Sequence, residues 1–189
     1  MRQQDVRWLG KNLGNFIKNK FTPITLFLIK AVSIYTIWQL FYDFVLLPDG
    51  RLDEWLSFFS VALSHGLLSI FNFPIESSGR FITMTGKPGV EILNGCNGLD
   101  IIGLFASFIL AYPGKMKLRF LFLGGGFIIL FLSNLFRIAV FVLTDGYYPS
   151  IWDHVHTYRS SIFFYPIVLT LWYLWTTMSE ENALISTKE

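Results

Sequence analysis

Residues 120–143 read FLFLGGGFIILFLSNLFRIAVFVL, apolar throughout except for Ser133, Asn134 and Arg137. Roughly 20 apolar residues span the hydrocarbon core of a bilayer. A helix apolar on every side has no face to offer to water, so this stretch predicts a transmembrane segment. Arg137 is its expensive residue, on the order of 3 kcal/mol in a spanning helix. One reading lets it snorkel outward, since Thr144 at the helix end is about 10 Å away along the axis. The other places it on a polar interior stripe with Asn134, which lies three residues earlier on the same face. An arginine facing such an interior is a functional residue by default.

The rest of the chain fits this beginning. Hydrophobic residues make up 53% of the 189 and charged residues 15%, with 20 phenylalanines. Soluble domains carry about 25% charged residues, so a water-soluble enzyme is excluded. The net charge of +2 and the lack of a basic stripe exclude a nucleic-acid binder. The single cysteine, Cys96, rules out an internal disulfide framework and a cysteine-based zinc site. His154 and His156 diverge on a helix and have no further ligand nearby, so no metal is expected, and no cofactor.

The predicted fold is an all-α polytopic membrane protein with four transmembrane helices, at 24–47, 96–113, 119–143 and 158–178. An interfacial or re-entrant helix covers 52–73, and a small external β-hairpin lies within 74–95, with strands at Arg80–Met84 and Val90–Leu93. Segments 1–23 and 179–189 are the two cytoplasmic ends of a single membrane-embedded domain. The run at 24–47 is too long for a signal-peptide core and is read as an uncleaved span. Lys115, Lys117 and Arg119 crowd one short loop and mark it as cytoplasmic, as does the basic N-terminus. With both anchors inside, 52–73 cannot cross once on its own, and 74–95 and 144–159 are external.

This topology gathers Cys96, Arg137, His154 and His156 at the outer end of the bundle. A lone cysteine in an apolar chain is usually a small buried hydrophobe. Here Asn94-Gly95-Cys96-Asn97-Gly98 is a turn sequence rather than a packing sequence. It puts the sulfur just before a helix, where free N–H groups and the helix dipole favour a thiolate and can hold an oxyanion. A histidine at a membrane interface is often only a solvated polar group. Beside a cysteine and an arginine, it completes a nucleophile, a proton carrier and a cation. Asp153 or Asn134 is available to orient a partner.

The motif Asn94-Gly95-Cys96-Asn97-Gly98-Leu99, then Asn134-Leu135-Phe136-Arg137, then His156 followed by Tyr165 and a Trp-rich span resembles the exosortase/archaeosortase family. It looks most like the short exosortase variant (XrtF-like), over about residues 75–176. The resemblance implies a membrane-embedded cysteine protease or transpeptidase of the inner membrane, its active site facing the periplasm. Its partners would be the bilayer and exported proteins, whose C-terminal sorting signals it would cleave through a thioacyl intermediate. By position it makes Cys96 the nucleophile, His156 the proton-transfer residue and Arg137 the stabiliser of the thiolate or oxyanion. Asn97, Asn134, His154 and Asp153 are possible supporting residues. His156 is preferred to His154 because its spacing to Tyr165 matches the short variants. By this resemblance, the chain is expected to lack much of the N-terminal region of the large exosortases. The contrasting expectation is a non-catalytic subunit of a membrane complex, in which Gly124-Gly125-Gly126 permits close helix approach. A small transporter or channel is a weaker third reading, because only Arg137 and Asn134 would line its path.

Overall fold

The computed structural model describes residues 22–152 and 164–186, with side chains as far as Ser179. Helix α1 (Pro23–Phe41) opens on Thr22, whose hydroxyl accepts the Thr25 N–H at 3.2 Å, with Pro23 at the first helical position. A π-helical turn (Tyr42–Leu46) and the short α2 (Leu47–Asp49) follow. Gly50, at φ 69°, reverses the chain into α3 (Arg51–Ile70). Three short strands come next: β1 (Ile75–Ser78), β2 (Phe81–Met84) and β3 (Val90–Glu91). Helices α4 (Leu99–Ala111), α5 (Met116–Tyr147) and α6 (Tyr165–Ser186) complete the fold, with a 3-10 turn at Pro149–Ile151.

The chain is mostly helical. Among the described residues, two helices are long and apolar enough to cross a membrane: Pro23–Asp49, counting its π turn, and Met116–Tyr147. These cover two of the four predicted spans. Helix α4 is apolar but only 13 residues long, about 20 Å at 1.5 Å per residue. That is short of the hydrocarbon thickness. Helix α5 extends beyond the predicted 119–143 at both ends. The expected hairpin has a third strand. Ile75–Ser78 adds to β2 as an antiparallel neighbour, giving the order β1-β2-β3. Its sequence, Ile-Glu-Ser-Ser, has too little apolar or β-branched character to read as a strand alone. The Gly79-Arg80 turn closes it onto Phe81, with Gly79 at φ 62° as tight hairpins require.

Helix α3, over the segment predicted to be interfacial or re-entrant, is inverted relative to a soluble amphipathic helix. Asp53, Ser57, Ser60 and Ser64, spaced on one face, are buried against the protein. Trp55, Phe58, Phe59, Leu63, Leu67 and Ile70 are exposed on the rest of its surface. Helix α1 is also apolar, and none of its residues is buried. Apolar groups outward and small polar groups inward is the arrangement that lipid surroundings favour, since small residues let backbones approach closely.

Two apolar cores form. One joins the sheet (Ile82, Met84, Val90, Ile92) to Val61 and Leu68 of α3 and to Ile138, Phe141 and Val142 of α5. The other joins Phe105, Ile109, Leu130, Phe164, Val168, Leu171 and Trp175 of α4, α5, α6 and the residue before α6. The glycine run of α5 divides: Gly126 lies against the Phe105 ring, whereas Gly124 and Gly125 face open space.

Candidate active site

Between the sheet and α4, the chain turns through Asn94–Gly98. Gly95 (φ 76°) and Gly98 (φ 89°) both adopt left-handed backbone that L side chains resist. The turn is tied by the Cys96 N–H donating to the Leu93 carbonyl at 3.0 Å. Cys96 is partly buried and reduced. It precedes α4 by three residues, at the end opposite the Lys115–Arg119 cluster.

Arg137 comes to this turn from α5. Its Nη2 donates to the main-chain carbonyl of Cys96. Its guanidinium also faces the rings of Phe141 at 5.6 Å and Phe164 at 5.1 Å. Only 3% of Arg137 is exposed. The snorkelling alternative therefore does not describe it: the charge turns into the protein. Asn134, fully buried one turn earlier, donates from Nδ2 to the Asn97 carbonyl at 3.2 Å. The stripe formed by Asn134 and Arg137 thus grips the successive main-chain carbonyls of Cys96 and Asn97.

Asn97 continues the network. Its Oδ1 accepts the Leu99 N–H at 3.2 Å, an Asx turn that leads into α4. Its Nδ2 donates to Asp53 Oδ1 at 2.7 Å. The same oxygen accepts the Gly95 N–H at 3.1 Å and the Tyr42 hydroxyl at 2.7 Å. Asp53 is fully buried. One carboxylate oxygen thus fastens both neighbours of Cys96 and the π turn. The sequence alone does not mark Asp53 or Tyr42 as part of this network. The available signal was the serine stripe continuing from Asp53 on one face of α3, which marks that face as inward.

Two cavities meet at Arg137. One, of about 110 Å³, is lined by the β3 segment (Gly89–Ile92), Cys96, Arg137, Phe141 and Trp152. The other, of about 250 Å³, is lined by Tyr35, Gly95, Gly98, Asp100, Ile101, Leu104, Arg137, Phe164 and Tyr165. Arg137 forms part of both walls. The structure therefore brings together Cys96, Asn97, Asn134 and Arg137. His154, His156 and Asp153 lie outside the described residues, whose ends nearest them are Trp152 and Phe164. Among the described residues, no group of histidine, cysteine and carboxylate side chains is arranged to hold a metal.

The family model described as Transmembrane exosortase (Exosortase_EpsH) matches residues 22–173, most of the chain. The chain belongs to the transmembrane exosortase family. The matched region contains every element from α1 to the first half of α6, and all the site residues above. No curated protein and no solved structure matches the chain. Family membership and the apolar helices together make this a membrane protein.

Proposed function

We propose that this exosortase is a short, XrtF-like cysteine protease or transpeptidase that cleaves the C-terminal sorting signals of exported proteins. The supporting observation is Arg137. Its buried guanidinium holds the Cys96 carbonyl, and it shares one cavity with the thiol at the start of α4. A fixed cation beside a sulfur nucleophile is suited to a reaction that develops negative charge on the attacked carbonyl.

The Cys96 thiolate attacks a substrate peptide carbonyl, and a C–S bond forms. As the tetrahedral oxyanion collapses, the C–N bond breaks. The leaving amine takes a proton from the imidazolium of His156, which had received the proton of the thiol. Water or an acceptor amine then attacks the thioester, transfers its proton to the imidazole, and releases the thiol. Arg137 serves the oxyanion. Asp53, Asn97 and Asn134 are positioning residues that fix the turn carrying Cys96. The Lys115–Arg119 cluster at the other end of α4 reads as cytoplasmic, which supports a site directed toward the periplasm of the inner membrane.

Cys96→Ala tests the proposal: processing of a sorting-signal substrate should disappear while the variant inserts and accumulates as the wild type does. Undiminished processing overturns it. If thiol and imidazole share a proton, processing follows a bell-shaped pH profile belonging to the pair; a flat profile across the neutral range removes His156 from the mechanism. A second reading, a non-catalytic assembly subunit, is favoured by Gly124 and Gly125, which face open space where a partner helix could approach. It predicts full function of the Cys96→Ala protein within a stably co-purifying complex.

A further inference from the structure

The sheet ends next to the nucleophile, and the way it ends is informative. β3 is the edge strand. Phe81 stands opposite Glu91 and Ile82 opposite Val90. One step further along this register, the Ile92 N–H donates to the Arg80 carbonyl at 2.9 Å. Opposed residues in an antiparallel ladder alternate between hydrogen-bonded and non-bonded pairs. Arg80–Ile92 is a bonded pair, so Phe81–Glu91 is a non-bonded one. The N–H and C=O of Glu91 therefore point away from β2, toward the free edge. Among the described residues nothing outside the sheet hydrogen-bonds to them.

That edge is firmly mounted. Val90 is 7% exposed and Ile92 2% exposed, both in the core shared with α5, whereas the Glu91 side chain is exposed. It also opens on the thiol, because residues 89–92 line one wall of the cavity that contains Cys96 and Arg137. About 110 Å³ admits a scissile peptide group and a small side chain rather than a folded segment. A helix would keep its carbonyls engaged in i→i−4 bonds; an extended peptide presents them.

We propose that the polypeptide to be cleaved lies extended along the free edge of β3. One of its residues exchanges both backbone hydrogen bonds with Glu91, as in other cases of strand addition, and a neighbouring carbonyl reaches Cys96. The inference rests on the thiol-protease reading above and adds how the substrate is held. Recognition at this point is by main chain, so it is insensitive to side-chain identity, and on a two-residue strand it centres on Glu91.

The test uses the full-length protein in detergent with tetra-alanine chloromethyl ketone, alongside versions N-methylated at one backbone amide each. Iodoacetamide labelling of Cys96 is measured in parallel, since it needs no peptide binding. Capture by the ketone should fall about tenfold on methylation of one amide and less than twofold on methylation of its immediate neighbours. Glu91→Pro, which removes the outward N–H, should lower the ratio of ketone capture to iodoacetamide labelling about tenfold. Equal sensitivity at every amide, an unchanged ratio, or no ketone capture despite normal iodoacetamide labelling overturns strand addition. If Cys96 resists both reagents, the protease reading fails. Strand addition is then decided by photo-crosslinking a benzophenone-bearing tetra-alanine to the Cys96→Ala protein: adducts on residues 89–92 support it, and adducts elsewhere or none overturn it.

Discussion

The two cores of this molecule differ in what borders them. The core around Phe105, Phe164 and Trp175 is an aromatic lock. Phe108 and Trp172 stack at 4.4 Å, the Phe122 and Trp175 rings lie 5.3 Å apart, and the Trp175 ring covers Gly114. The core beneath the sheet is bordered by a buried polar network, Tyr42–Asp53–Asn97–Asn134 with Arg137, and by the cavity holding Cys96. Rings packed against each other resist deformation, and Phe164 also lines the cavity beside Arg137. Buried charges and amides specify one arrangement only while every member keeps its partners. The aromatic core lies on the α6 side, and the proposed chemistry belongs where the sheet, α3 and the Cys96 turn meet; Phe164 faces Arg137 and joins the two.

Substitutions can break or sharpen that contrast. After loss of the thiol itself, the largest effect is expected from Arg137→Ala. It removes the cation and leaves the Cys96 carbonyl without this donor, so processing should fall at least 100-fold. Arg137→Lys keeps the charge but not the planar fork and should recover only part of the rate; full recovery would show that charge alone suffices. Substrate turnover in reconstituted membranes measures both.

Asp53→Ala comes next. It releases the Gly95 N–H and strands the buried Tyr42 hydroxyl and Asn97 amide, and each buried group left unsatisfied costs about 1–3 kcal/mol. Processing should drop 10- to 100-fold while iodoacetamide labels Cys96 faster, because its turn is no longer fastened. Asp53→Asn, which retains an acceptor oxygen, should restore most of the labelling behaviour. Labelling unchanged by Asp53→Ala would deny Asp53 its positioning role.

Trp175→Ala probes the other core. Truncating a fully buried tryptophan leaves a cavity and costs about 3–5 kcal/mol, which thermal unfolding in detergent would report. Labelling of Cys96 per folded molecule should stay within twofold. A tenfold change would mean that the two regions are not separable. The smallest effect belongs to Arg51. Its pair with Asp49 at 2.8 Å is exposed, and such surface pairs contribute little. Arg51→Ala should leave both unfolding and processing unchanged.

Much of this was legible in the residues, and for identifiable reasons. An apolar majority with few charges marks a membrane chain because no water-soluble surface can be made from it. Asn134 and Arg137 share a face because three residues make nearly one helical turn. Two glycines flanking Cys96 mark a turn because only they adopt positive φ freely. These readings depend on neighbours in the chain, and the chain itself supplies them.

The tertiary structure decided the rest. Asp53 sits in the first turn of α3, a position where a carboxylate is ordinarily satisfied by the helix N-terminus. Its role appears only when donors 11, 42 and 44 residues away converge on one oxygen. The strand character of Ile75–Ser78 came from its partner β2, and the outward direction of the Glu91 N–H and C=O from the register of that same sheet. Arg137 could face lipid headgroups or protein by sequence alone; the Cys96 carbonyl and two phenylalanine rings turned it inward. Local pattern sets which element forms and which face it has. Which polar groups meet depends on how distant segments pack, and no short window of residues contains that.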